Sequence, residues 1–82
     1  MIEQSEVFKD YLDLRGTPCP VNFIRCRLAL KKLECQDVLK VDLDKGEPEL
    51  MVVSGLRKAG HHVEIVMKED TWLTLKVVNS GG

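Results

Sequence analysis

The chain has 82 residues, 44% of them hydrophobic and 30% charged, with a formal net charge of -1. That length holds one small domain with a modest core, and the near-neutral charge argues against bulk attraction to nucleic acid or an anionic membrane. No apolar run approaches the roughly 20 residues that span a bilayer, and the acidic, polar start Met1–Glu6 lacks the regions of a signal peptide, so a cytoplasmic protein is expected.

Residues 1–10 read as a polar lead-in. Tyr11 to Leu14 alternates apolar and polar side chains, which predicts a short strand, and Arg15-Gly16 leads out of it. From Pro20 to about Glu34 the apolar residues Phe23, Cys26, Leu30 and Leu33 recur at helical spacing, which predicts a helix burying that stripe. Ala29 joins the stripe, and Val21, Ile24 and Leu28 are expected to widen it at its edge. Arg25, Arg27, Lys31 and Lys32 make the outward face basic. Val38 to Leu43 predicts a second strand, running into a turn whose Pro48 can open a helix. Glu49 to Ala59 predicts that helix, with Gly60 at the position of a left-handed cap and Gly55 inside at a cost of about 1 kcal/mol in propensity. His62 to Met67 and Thr71 to Val78 alternate again around a Lys68-Glu69-Asp70 turn, the pattern of a hairpin. The order β-α-β-α-β-β predicts an α+β two-layer sandwich over residues 11–78: a four-stranded mixed sheet with both helices on one face. Residues 79–82 read as a loose tail, and a monomer is expected.

Between the first strand and the first helix stands Thr17-Pro18-Cys19-Pro20. Pro18 fixes its own φ and pushes Thr17 toward an extended conformation, and Pro20 restricts Cys19 likewise and suits the first helical position. Cys19 then falls at or next to the N-cap, beside free backbone N–H groups and the positive end of the helix dipole. Such surroundings favour the nucleophilic thiolate. The three cysteines, at spacings of 7 and 9, suggest neither a disulfide framework nor a metal knuckle. Cys26 lies on the core stripe as a small hydrophobe, and Cys35 lies past the helix end. His61 and His62, adjacent on a strand, point to opposite faces, so no metal site is expected. Trp72 reads as a partly buried hairpin residue or a docking aromatic.

The chain resembles the TusA/SirA family of small sulfur carriers. The likeness rests on Leu12-Asp13-Leu14-Arg15-Gly16, on Cys19-Pro20 opening a helix, on Val41-Asp42 before a turn and helix, and on Gly60-His61-His62-Val63 entering a hairpin. It implies the β-α-β-α-β-β fold and sulfur carried as a persulfide on Cys19, in a relay between a protein donor and a protein acceptor. The donor would be a cysteine desulfurase or a rhodanese-like protein. The implied activity is that of a sulfurtransferase-type carrier, itself handled like a substrate, without a cofactor. Arg15, Gly16, Pro18, Pro20 and Asn22 would support or position the cysteine, and Arg25, Arg27 and Lys31 are candidate partner contacts. Arg15 has two readings: positive charge near the sulfur, or a solvated or partner-facing arginine. The family motif is usually Cys-Pro-x-Pro, and here Asn22 replaces the second proline. As third helical residue its amide would meet free N–H groups or a partner.

Two rivals stand beside this reading. The basic helix face could touch nucleic acid in a non-catalytic binding module, although no aromatics are interleaved with its cations. The Gly81-Gly82 end matches that of ubiquitin-like carriers, which are activated as C-terminal thiocarboxylates. Those proteins have a hairpin before their first helix, where this chain has a single strand and then Cys19.

Overall fold

Alternating strands and helical stripes resolve into six elements: β1 (Asp10–Asp13), α1 (Val21–Lys31), β2 (Val38–Asp44), α2 (Glu47–Lys58), β3 (His62–Lys68) and β4 (Trp72–Val78). The computed structural model describes residues 8–80. Most of the lead-in, and Gly81 and Gly82, lie outside these. The sheet order is β1-β2-β4-β3, with β1 parallel to β2 and β4 antiparallel to both neighbours. β2 and β3 therefore run the same way. The β1-α1-β2 and β2-α2-β3 crossovers both join like-directed strands and step in the same direction across the sheet. Right-handed crossovers then place both helices on one face, where they touch β2 and each other. Among the described residues no helix is long and apolar enough to cross a membrane.

The period-two pattern decides which strand residues meet the helices. Leu39, Val41 and Leu43 on β2 face Val77, Leu75 and Leu73 on β4, and all six are fully buried. Cys26, Ala29 and Leu30 from α1, with Val52 and Leu56 from α2, close the core over them. The opposite sheet face is uncovered by helices. There the Asp42 carboxylate, 5% exposed, accepts hydrogen bonds from Tyr11 Oη and Thr74 Oγ1, each at 2.6 Å.

Four details depart from the sequence reading. Phe23 and Leu33 border the core half-buried. Val21, Ile24 and Leu28 do not widen the core stripe but point outward, 45%, 48% and 55% exposed. The reason is rotation about the α1 axis: Asn22, Cys26, Ala29 and Leu30 set the inward direction, and at 100° per residue the other three fall opposite. Lys9, assigned to the lead-in, donates its N–H to Val38 O at 2.7 Å, so the chain joins the sheet edge before Tyr11. Asn79 belongs to the folded body, not to a loose tail. It is 4% exposed, and its Nδ2 donates to Leu30 O, Leu33 O and Glu34 O at 3.1, 2.9 and 3.1 Å, which caps the C-terminal end of α1.

α2 ends in the expected left-handed cap. Gly60, at φ +97°, donates its N–H to Arg57 O, and His61 donates to Leu56 O, the paired bonds of a Schellman motif. Gly55 leaves room for the Phe23 ring of α1, because a Cβ there would lie 2.6 Å from Phe23 Cε1. Gly55→Ala is therefore expected to destabilise the fold by about 1–3 kcal/mol through overpacking, against the ~1 kcal/mol that alanine contributes to helix propensity. Chemical denaturation checks this, and Gly55→Ala should cost less in a Phe23→Ala background than in the unaltered chain. A raised midpoint for Gly55→Ala alone would mean that the ring swings aside freely.

Candidate functional site: an exposed cysteine at the start of α1

The loop that delivers Cys19 is fastened to the sheet before it reaches the helix. Leu14 N–H donates to Asp42 O at 2.8 Å, and Thr17 N–H returns to Leu14 O at 3.0 Å. Gly16 sits inside that turn at φ +78°, a conformation that suits glycine, and its N–H is held by Asp44 Oδ2 at 2.8 Å. Pro18 O then accepts the Asn22 N–H at 3.1 Å and Pro20 O accepts the Ile24 N–H at 3.0 Å. Pro20, at φ -93° and ψ 12°, is the N-cap rather than the first helical residue, since its ψ falls outside the helical range. The first helical residue is Val21, and Asn22 is the second rather than the third. Cys19 stands one residue before the cap, exposed.

The other two thiols differ in kind. Cys26 is wholly buried, and burial pushes its thiol up to about 12, with the nearby Arg25 charge only partly offsetting this. Cys35 is exposed beyond the helix end.

Asn22 is also wholly buried. Its Oδ1 accepts the Phe23 N–H at 2.6 Å, and its Nδ2 donates to Cys19 Sγ at 3.3 Å. The bond from Phe23 needs an acceptor, which fixes the amide orientation and leaves the donor end facing the sulfur. The free N–H foreseen for this side chain is that of Phe23, and full burial removes Asn22 from direct contact with a partner.

Arg15 is engaged elsewhere. Its Nε and Nη2 donate to Asp13 Oδ1 and Oδ2 at 2.8 and 2.9 Å, and its guanidinium lies 4.6 Å over the Trp72 ring. Hydrogen bonds from Arg15 hold the Asp13 carboxyl down at about 2. No hydrogen bond joins Arg15 to Cys19; its guanidinium is held within the loop by Asp13 and Trp72. Trp72 is half-buried beneath it.

Arg25, Arg27 and Lys31 are all exposed. The helical repeat places the exposed line Val21, Ile24 and Leu28 between Arg27 and Lys31 on one side and Arg25 and Lys32 on the other. This apolar strip with basic borders begins two residues from Cys19. Arg27 and Lys31 also line a cleft of about 500 Å³ with Cys35 and His61, at the opposite end of α1 from Cys19. His61 Nδ1 accepts the Ser80 N–H at 3.3 Å, whereas the exposed His62 lies 3.9 Å from Glu64, so the two imidazoles do not converge. Among the described residues no three His, Cys, Asp or Glu side chains form a metal cage.

The chain is thus a two-layer β-α-β-α-β-β domain that presents an exposed cysteine ahead of its first helix. The model of the sulfurtransferase TusA family matches residues 10–78, and the chain belongs to that family. A protein of Archaeoglobus fulgidus named as a candidate sulfur carrier is 34% identical over 76 residues, covering 90% of this chain and 82% of its own. The crystal structure of a SirA-like protein from Desulfitobacterium hafniense shares the fold at a TM-score of 0.75 and 24% identity, covering 87% of this chain and 97% of that one.

Proposed function

We propose that the chain carries sulfane sulfur as a persulfide on Cys19, taking it from a protein donor and passing it to a protein acceptor. The observation that carries this reading is the exposed thiol between Pro18 and Pro20 at the start of α1, in a member of the TusA family. In loading, the Cys19 thiolate attacks the outer sulfur of a donor persulfide. A new bond forms to Sγ, the donor's S–S bond breaks, and the donor cysteine leaves as thiolate with the electron pair. In release, an acceptor thiolate attacks the same outer sulfur and Cys19 leaves as thiolate. No oxidant is consumed, and the exchange follows the rules of thiol–disulfide chemistry. The strip of Val21, Ile24 and Leu28 with its basic borders suits partners that offer an apolar groove rimmed by acidic residues, and it guides them onto Cys19. A nucleic-acid reading finds less support, because the side chains between these cations are aliphatic and offer nothing for a base to stack on.

The test is incubation with a cysteine desulfurase and cysteine, followed by intact-mass analysis. One added sulfur, removed by reductant, is expected; no adduct would sink the reading. Removing Gly81 and Gly82 should leave loading and transfer unchanged and free of any ATP requirement. An adduct that needs ATP and disappears on truncation would instead point to an activated C-terminal carboxylate.

A further inference from the structure

The described residues bury four polar side chains: Asn22, Asp42, Thr74 and Asn79. Asp42 and Thr74 bond each other and Asn79 caps α1, while Asn22 turns a donor onto the sulfur of Cys19. We infer that Asn22 is a positioning residue whose Nδ2–H···Sγ hydrogen bond sets the balance between empty and sulfur-loaded Cys19, and sets it toward release. This rests on the carrier role proposed for Cys19.

The argument follows the charge. A hydrogen bond strengthens when its acceptor is ionised. Sγ carries the negative charge while Cys19 is an empty thiolate. Once Sγ is bonded to a second sulfur it becomes a neutral, weaker acceptor, and any charge on the persulfide resides on the outer sulfur. The Asn22 amide therefore stabilises the empty thiolate more than the loaded state. The same bond forms as Cys19 departs during release, so it assists that step, and it makes Sγ a slightly poorer nucleophile during loading. A proline at position 22, as in the usual family motif, has no amide side chain to donate. Nor could it supply the N–H that Asn22 gives to Pro18 O at 3.1 Å. This member thus has a handle on its sulfur that the usual motif lacks.

The test uses glutathione, whose mixed disulfide with Cys19 also renders Sγ neutral. It is run on the full chain carrying Cys35→Ser, so that Cys19 is the exposed thiol. The equilibrium constant for mixed-disulfide formation from glutathione disulfide is measured at a pH of about 9.5, above the ordinary cysteine range. Asn22→Asp keeps an acceptor for the Phe23 N–H but loses the donor, and Asn22→Ala loses both. Each should raise the constant by about three- to tenfold, the size expected for one lost hydrogen bond. A purely structural Asn22 would lower thermal stability and leave the constant unchanged, and that result overturns the inference. Should neither variant fold, the Asn22 side-chain amide protons of the otherwise unaltered chain decide it. Their NMR signal should move upfield when the Cys19 mixed disulfide forms, and an unmoved signal overturns the inference. Disulfide exchange asks nothing about sulfur carriage, so failure to load from a desulfurase would strike the proposed function alone.

Discussion

Cys19→Ser is expected to leave a folded protein that takes up no sulfur. The Cys19 side chain is exposed, so its loss opens no cavity, and a serine hydroxyl does not ionise to a comparable nucleophile at neutral pH. Neither remaining thiol can take over. Cys26 is sealed in the core with its thiol raised to about 12, and Cys35 lies past the far end of α1 without the flanking prolines. Cys35→Ser should therefore load as the unaltered chain does. Alkylation at about pH 8, below the ordinary cysteine range, should modify Cys19 and Cys35 and spare Cys26. Intact-mass analysis reads both experiments, and a Cys19→Ser chain that still loads and passes on sulfur would place the chemistry elsewhere. Burial of Cys26 also has a signature in pH. Its folded value lies above the 9.0 of a free thiol, so above that pH the unfolded chain binds fewer protons than the folded one. Stability should fall as pH rises from 9 toward about 12, and Cys26→Ala should flatten that decline while lowering stability at neutral pH through the cavity it leaves.

The second large effect is expected far from the sulfur. Asn79→Ala should destabilise the fold by about 1–3 kcal/mol, because the buried amide is lost and Leu33 O loses its donor, while Leu30 O and Glu34 O keep the backbone N–H groups of Leu33 and Asp37. The backbone bonds of Asn79, from its N–H to Asp37 O at 2.8 Å and from Gln36 N–H to its O at 2.7 Å, should survive the change. The loss is therefore that of the side-chain amide. Urea denaturation measures it, and a drop below about 0.5 kcal/mol would mean that water replaces the amide without penalty. Asn79→Asp should be worse, since a carboxylate cannot donate to three carbonyls and would face them with like partial charge.

The elements were legible wherever a residue pattern had one period. Alternation through Val63, Glu64 and Ile65 in β3 and from Leu73 to Val77 in β4, with the stripe through Cys26 and Leu30, made the hairpin and the inward side of α1 readable. Legibility failed where one helix carried apolar side chains on two sides. Hydrophobicity ranks Val21, Ile24 and Leu28 above Asn22, yet Asn22 is buried and the other three are exposed. Local side-chain bonds with Phe23 and Cys19, invisible to a hydropathy pattern, satisfy the Asn22 amide where it is buried. One signal was available: Cys19 and Asn22 stand three residues apart across a helix start, a spacing that brings side chains together. The partner of Arg15 was also within reach, because Asp13 lies two residues away on the same face of an extended chain. Asn79 gave no such signal. It meets Leu30 across 49 residues of chain, and no local pattern marks an asparagine after a strand as the cap of a distant helix.

The two buried asparagines also divide labour along α1. Asn22 pins its first turn and Asn79 pins its last, while Val21, Ile24 and Leu28 stand outside the core. The helix can keep its seat while its outer surface is rewritten. Under the proposed carrier role, substitutions at a few solvent-facing positions of α1 would change which partners dock and leave the core as it is. The same separation makes the outer strip a place to graft a chosen partner's contacts without re-engineering the fold beneath it.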